Sequence, residues 1–232
     1  MTLYVAPVVE GQTEQGCVER LLQGIWSKLL GCSERLQVLE PRRKPRSSLV
    51  HTDGRVLIEA VQAASLVLDR KTARDAEGRS LLLILLDAED DCPATLAPRL
   101  LQTARTALPA GMNVACVLAV RMLENWIVGG ASSLAGVNGL PDPLPPRDRY
   151  EVIHGAGWLG QQLRSHNSRR KYKKTADAEP FVRSMSLEEC RGNCPSFDKL
   201  CRELHKSLPS APRQEIPPDH GGDVARPDDT PS

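Results

Sequence analysis

Six apolar residues in a row, Leu81 to Leu86, run into the acidic stretch Asp87-Ala88-Glu89-Asp90-Asp91. So short a run without a polar break suits a parallel β-strand buried on both faces, where every side chain meets a covering helix. Carboxylates released at the carboxyl end of such a strand fall in the crevice where open α/β sheets bind ligands. Leu3–Val9 has the same character and runs into Glu10-Gly11-Gln12-Thr13-Glu14. Two acidic clusters at one sheet edge make a hard, oxygen-rich site suited to Mg²⁺ or Mn²⁺.

The rest of the pattern alternates between the two periods. After Leu3–Val9, Thr13 can cap a helix that carries Glu14 in its first turn and places Val18, Leu21, Leu22, Ile25, Trp26, Leu29 and Leu30 at helical spacing. A short strand at Leu36–Leu39 follows, then an irregular basic loop with Arg42, Arg43, Lys44 and Arg46 between Pro41 and Pro45. A helix is expected over about 54–69, strand three at Leu81–Leu86 and a helix over about 95–107. Strand four is expected at Val114–Val120, leading into a helix through Glu124-Asn125-Trp126. The order βαβαβαβα predicts an α/β fold with a four-stranded parallel sheet sandwiched by helices. Residues 131–149 are rich in Gly and Pro and read as a connection, and 150–208 as a small helical C-terminal appendage packed on the 1–130 domain. Residues 209–232 are polar and proline-rich, the composition of a disordered tail.

Composition narrows the setting. The chain has 232 residues, 41% of them hydrophobic but only 3% aromatic, so its core must rest on Leu, Val, Ile and Ala. A net charge of +1 gives no global attraction to nucleic acid, and any such surface has to be local. No stretch approaches the roughly 18 apolar residues of a membrane span, and the N-terminus lacks the basic n-region of a signal peptide. Seven cysteines, an odd number, read as reduced thiols in a cytoplasmic protein.

The acids are the chemical lead. Phosphoester chemistry needs anionic oxygens converging on one or two divalent ions, which in two-metal sites sit ~3.5–4 Å apart. Glu10 and Asp87 follow strands one and three, and Glu124 follows strand four at the same edge. In an extended exit from strand three, Glu89 and Asp91 point the same way as Asp87. Any one of these acids alone is accounted for by helix capping and solvation. The set, each acid following its own strand, favours a metal site. The expected ligands are Glu10, Asp87, Glu89 and Asp91, with Glu124 as a further catalytic acid.

Residues 164–174 carry six cations and no acid. Either this is a solvated loop, or Arg169, Arg170, Lys171, Lys173 and Lys174 bind a phosphate backbone with Tyr172 free to stack on a base. One of the lysines, assigned to Lys173, would stabilise charge on the reacting phosphate. Cys190-x3-Cys194-x6-Cys201-x3-His205 departs from the usual zinc spacing, and buried thiols are the simpler reading.

At these residues the chain resembles the Toprim signature, a Glu-Gly after the first strand and an acidic pair after the third. Toprim domains occur in topoisomerases, bacterial primases and nucleases of the overcoming-lysogenization-defect type. Glu10-Gly11-Gln12-Thr13-Glu14-Gln15, Asp87-x-Glu89-Asp90-Asp91-x-Pro93 and Glu124-Asn125-Trp126 more closely resemble an uncharacterised, Toprim-like bacterial family, over about residues 3–205. The resemblance implies a Mg²⁺-dependent nuclease acting with an ABC- or AAA-type ATPase in defence against phage or plasmids. A catalytically silent subunit that targets such an ATPase is the alternative. Where Toprim domains carry Asp-x-Asp, this chain has Asp87-Ala88-Glu89, one methylene longer at the second acid. A receiver domain would need an acidic pair after strand one, and a dinucleotide fold a Gly-x-Gly-x-x-Gly; neither is present.

Overall fold

The computed structural model describes residues 1–208; the stretch 209–232, expected to be disordered, lies outside the described residues. Strands β1 (Thr2–Val9), β2 (Arg35–Val38), β3 (Arg42–Arg43), β4 (Arg79–Asp87) and β5 (Val114–Ala119) form one wholly parallel sheet. Its order is β2-β1-β4-β5, and β3 continues the β2 edge along the same side of β1. The basic loop expected at 42–46 is therefore more regular than its prolines suggested. Arg42 and Arg43 pair with Val8 and Val9, and Arg46 opens the short helix α2 (Arg46–Leu49).

Helices cover both faces, as the continuous apolar strands require. Leu81, Leu83 and Leu85 of β4 join one core with Leu3, Val5 and Val9 of β1, whereas Leu82, Ile84 and Leu86 join the other with Tyr4, Ala6 and Val8. This is the two-residue period of a strand read on both sides. The second core is completed by α3 (Arg55–Thr72) and α4 (Pro93–Thr106). The first takes α1 (Gln12–Gly24) and, with it, α5 (Glu124–Gly129), α6 (Gly155–His166), α7 (Lys174–Ser184), α8 (Leu187–Asn193) and α9 (Pro195–His205). The C-terminal helices thus build half of the protein's interior: Trp158, Phe181, Phe197 and Leu200 lie in the same cluster as Val5 and Leu83. Among the described residues no helix is long and apolar enough to cross a membrane.

The chain reverses its direction across the sheet at β1. From β1 it passes over α1 to β2 on one side, then returns over α3 on the opposite face to β4 on the other side. The carboxyl ends of β1 and β4 therefore flank a topological switch point, the crevice of an open parallel sheet.

Three successive residues tie the C-terminal half to this edge. Glu124 is directed into the crevice. Asn125, fully buried, donates to the carbonyls of Tyr150 (2.8 Å) and Ile153 (3.0 Å) and accepts from the Gly155 amide (3.1 Å), fixing the start of α6. Gly155 approaches so closely that a Cβ there would stand 2.6 Å from Asn125 Oδ1. Trp126 packs edge-on against Phe197 and donates its indole N–H to Ser196 Oγ at 2.7 Å, anchoring α9. Replacing Asn125 by Ala leaves two carbonyls and an amide without their partner in a buried place, and should cost about 2–4 kcal/mol. Urea unfolding should show a clearly lowered midpoint; an unchanged midpoint would contradict the clamp.

Candidate functional site

β1 and β4 end side by side because Val9 pairs with Leu85, so Glu10 emerges beside Leu86 and Asp87. Glu10 Oε1 accepts the backbone N–H of Asp87, bridging the switch point directly. Asp87 in turn accepts the Leu123 amide on Oδ1 at 2.8 Å, which draws the β5 exit against the β4 exit. Glu124, one residue later, is wholly buried, and its carboxylate meets Lys174 Nζ at 3.3 Å and the Tyr172 hydroxyl at 3.3 Å. Tyr172 is held by stacking on Phe181.

Glu14 completes the group. It lies in the first turn of α1 and is only 3% exposed. Its carboxylate folds back over Gly11, so close that a Cβ at that position would stand 2.2 Å from Oε2. A side chain at position 11 would have to displace that carboxylate. The reach of an N3 glutamate to the amides at its own helix start is half of a capping box, and the amides of Glu14 and Gly11 do draw its pKa down. Burial outweighs them.

The electrostatics show one connected acidic cluster. Burial pushes the Asp87 carboxyl well above its usual range, and Glu14, Glu10 and Glu124 repel its charge further. Burial raises Glu10 to about 7 from an ordinary 4.5, against the pull of the Asp87 amide and with added repulsion from Glu14. Glu14 is raised by burial and by Glu124. Burial pulls Lys174 down, but Glu124, Asp87 and Glu14 outweigh it and leave its pKa above 10.5.

Of the expected site residues, the structure gathers Glu10, Asp87 and Glu124. Glu89 and Asp91 are engaged elsewhere, although Glu89 still adds to the repulsion on Glu10. Glu89 takes a left-handed conformation, φ 51°, which breaks the extended alternation on which their placement rested. Both pair instead with Arg46, at 3.3 Å and 2.5 Å, while the same guanidinium donates to the carbonyls of Asp87 and Ala88 at 2.9 Å each. Arg46 thereby clasps the loop that carries Asp87. Holding a non-glycine residue in that region costs about 1 kcal/mol or more. The clasp and the bond from the Glu89 amide to the Arg121 carbonyl, 2.9 Å, offset it.

In the basic segment, Lys174 and not Lys173 reaches the acids. Lys173 precedes α7 and donates its backbone N–H to Asp177 at 2.7 Å, while its side chain is exposed. Arg170 is taken up by the buried Asp177. Arg169 and Lys171 are exposed. Two participants escaped the sequence reading. Glu14 was placed in the first acidic cluster but not among the expected ligands, because the helix start gave it a sufficient local account. Arg46 was read as one more loop cation. Cys190, Cys194 and Cys201 are buried in the core and His205 points to solvent, so they form no zinc set.

The donors at the switch point are carboxylate oxygens, the chemistry a hard divalent cation selects. Two of those oxygens are engaged by backbone amides, and the partner oxygens of Glu10 and Asp87 carry no hydrogen bond among the described residues. Among the described residues no three acidic, histidine or cysteine side chains are yet drawn in to metal-binding distance. The set fits such an ion in donor type and charge.

Fold and site together define an α/β protein with an acidic crevice at the switch point of a parallel sheet. The sequence matches the family described as a domain of unknown function, DUF4276, over residues 9–205, and the chain belongs to that family. No curated protein and no solved structure matches it.

Three carboxyls with raised pKa make the folded protein bind protons more tightly than the unfolded chain. Their contribution to stability should therefore be fully present below about pH 4.5 and be lost as pH rises through about 7, the range between the ordinary and folded values for Glu10. Glu10 alone contributes on the order of 2 kcal/mol to that loss after allowance for solvent screening. Melting of the metal-free protein between pH 5 and 8 should show it, and Glu10→Gln should flatten the slope. A melting temperature that rises over that range would contradict the cluster.

Proposed function

We propose that the protein is a divalent-metal-dependent phosphodiesterase, most simply a nuclease. The observation that carries this reading is the cluster Glu10, Glu14, Asp87 and Glu124 at the switch point, where buried carboxylates repel one another with Lys174 as a counter-charge. A chain gains nothing in stability from packing acids this way. Their cost is relieved by a doubly charged cation, Mg²⁺ or Mn²⁺, held by Glu10 and Asp87 with Glu14 and Glu124 alongside. When bound, the ion polarises a phosphoryl oxygen and lowers the pKa of its water.

The chain's own groups supply the remainder. Glu10, as a ligand of the ion, would be held as its carboxylate, because a coordinated cation favours the charged form. Lys174, poised between the acids and solvent, can stabilise negative charge on the phosphate. Arg46 keeps Asp87 in place through its backbone. The exposed cations Arg169, Lys171 and Lys173 supply the local positive surface that a net charge of +1 withholds elsewhere. The resemblance noted in the sequence adds an ABC- or AAA-type ATPase partner and action on foreign nucleic acid to the proposal; co-purification with such an ATPase would support that part.

Purified protein should cleave DNA or RNA in Mg²⁺ or Mn²⁺. Glu10→Gln and Asp87→Asn should lower the rate by about 10²-fold or more with the circular dichroism spectrum unchanged. Glu89→Ala should stay within about threefold of the parent, since its carboxylate lies outside the cluster. Equal cleavage by the parent and both cluster variants would overturn the reading.

A further inference from the structure

A second cationic element lies on the opposite flank of the acidic row. β3 carries Arg42 and Arg43, and Lys44 follows directly; all three are exposed, and none is ion-paired among the described residues. Their backbone is not a free loop. Arg42 and Arg43 pair in register with Val8 and Val9, and the Lys44 amide donates to the Val9 carbonyl at 3.0 Å. Arg46, two residues on, shows the contrast: its side chain is 14% exposed and its guanidinium is spent on Asp87, Ala88, Glu89 and Asp91. Within one segment, then, the last cation holds the site together and the first three have no partner.

Their place follows from the strand order. Across the carboxyl edge of the sheet come β3, then β1 with Glu10, β4 with Asp87, and β5 with Glu124, which Lys174 meets. Cations therefore stand at both ends of a row of carboxylates. Three inter-strand spacings of ~4.8 Å separate β3 from β5, roughly 14 Å in all. At ~3.4 Å of rise per nucleotide, that is about four phosphates of a stacked strand. A groove of about 500 Å³, lined by Gln15, Pro41, Arg42, Arg43, Lys44 and Glu59, lies beside β3. Gln15 belongs to the first turn of α1, the turn that also carries Glu14. Glu59 is the one acid lining it.

We infer that Arg42, Arg43 and Lys44 form a phosphate-binding rail, and that a nucleic acid strand crosses the sheet edge from β3 to the Lys171–Lys174 segment. The scissile phosphate then sits over Glu10 and Asp87. This rests on the nuclease reading for the phosphate at the centre and adds the substrate class: a polynucleotide gripped on both sides of the break, not a mononucleotide or a short diester. Rigid pairing to β1 is what suits these cations to the task, since the backbone beneath them is already ordered and only side-chain freedom remains to be lost on binding. A charged edge strand also discourages sheet-to-sheet association, and the two roles predict different results.

Binding separates them and does not require cleavage. Fluorescence anisotropy would follow a labelled single-stranded DNA of about 20 nucleotides, well beyond the span of the row, with calcium chloride as the divalent salt. Arg42→Gln/Arg43→Gln/Lys44→Gln should weaken binding by about tenfold or more and lower the slope of log K against log salt by roughly 2, as loss of three phosphate contacts requires. Arg70→Gln/Lys71→Gln/Arg74→Gln removes the same charge at the far edge of the sheet and should leave affinity unchanged. Unchanged affinity in the rail variant, with or without new self-association, overturns the inference, as does an equal loss in both variants or a parent protein that binds no DNA. A parent that binds DNA through the rail but cleaves nothing in Mg²⁺ or Mn²⁺ would sink the nuclease reading and leave the rail standing.

Discussion

The pairing of β1 with β4 is the constraint from which the rest follows. Val9 opposite Leu85 brings two strand ends, remote in the chain, to one point, and the hydrogen bond from the Asp87 amide to Glu10 closes it. Parallel strands can meet only through long crossovers, and here the crossovers lie on opposite faces, which opens the crevice between them. Burial of both faces makes that crevice dry enough for its carboxyls to be raised well out of their ordinary range. The same burial that makes the sheet stable raises the carboxyls at its edge.

Around that point the protein spends interactions on position. Arg46 holds the backbone behind Asp87, Asp87 holds the amide before Glu124, and Glu124 meets Lys174 and Tyr172. Asn125 and Trp126 fasten the C-terminal helices immediately beyond. A helical layer that covers one whole face of the sheet is thus also the layer that delivers the lysine. Site and core are not separable here: a change that loosens α7 moves a charge in the crevice.

Much of this was legible in the sequence. The run Leu81–Leu86 announced a strand buried on both sides, and alternation with helical periods gave the layered parallel sheet with its acids at one edge. The helices after Gly130 were legible as helices but not as half of the core, because periodicity shows which face is apolar and not what it meets. β3 was too short to carry a period. Glu89 misled for a definable reason: two-residue alternation holds only while the chain stays extended, and φ 51° ends it one residue past Ala88. Lys174 could not be told from Lys173, since the choice depends on where α7 begins and on Asp177 holding the backbone before it. Glu14 hid behind a sufficient local account, the helix start.

Glu10 and Asp87 are proposed to share a divalent cation at the switch point. Calorimetric titration of Mn²⁺ into the protein at pH 6 and pH 8 tests it most directly. The account predicts one saturable binding event that is tighter at pH 8, releases protons as the raised carboxyls ionise, and disappears in Asp87→Asn. Binding that is absent at both pH values, or that survives in Asp87→Asn with its pH dependence intact, would contradict it.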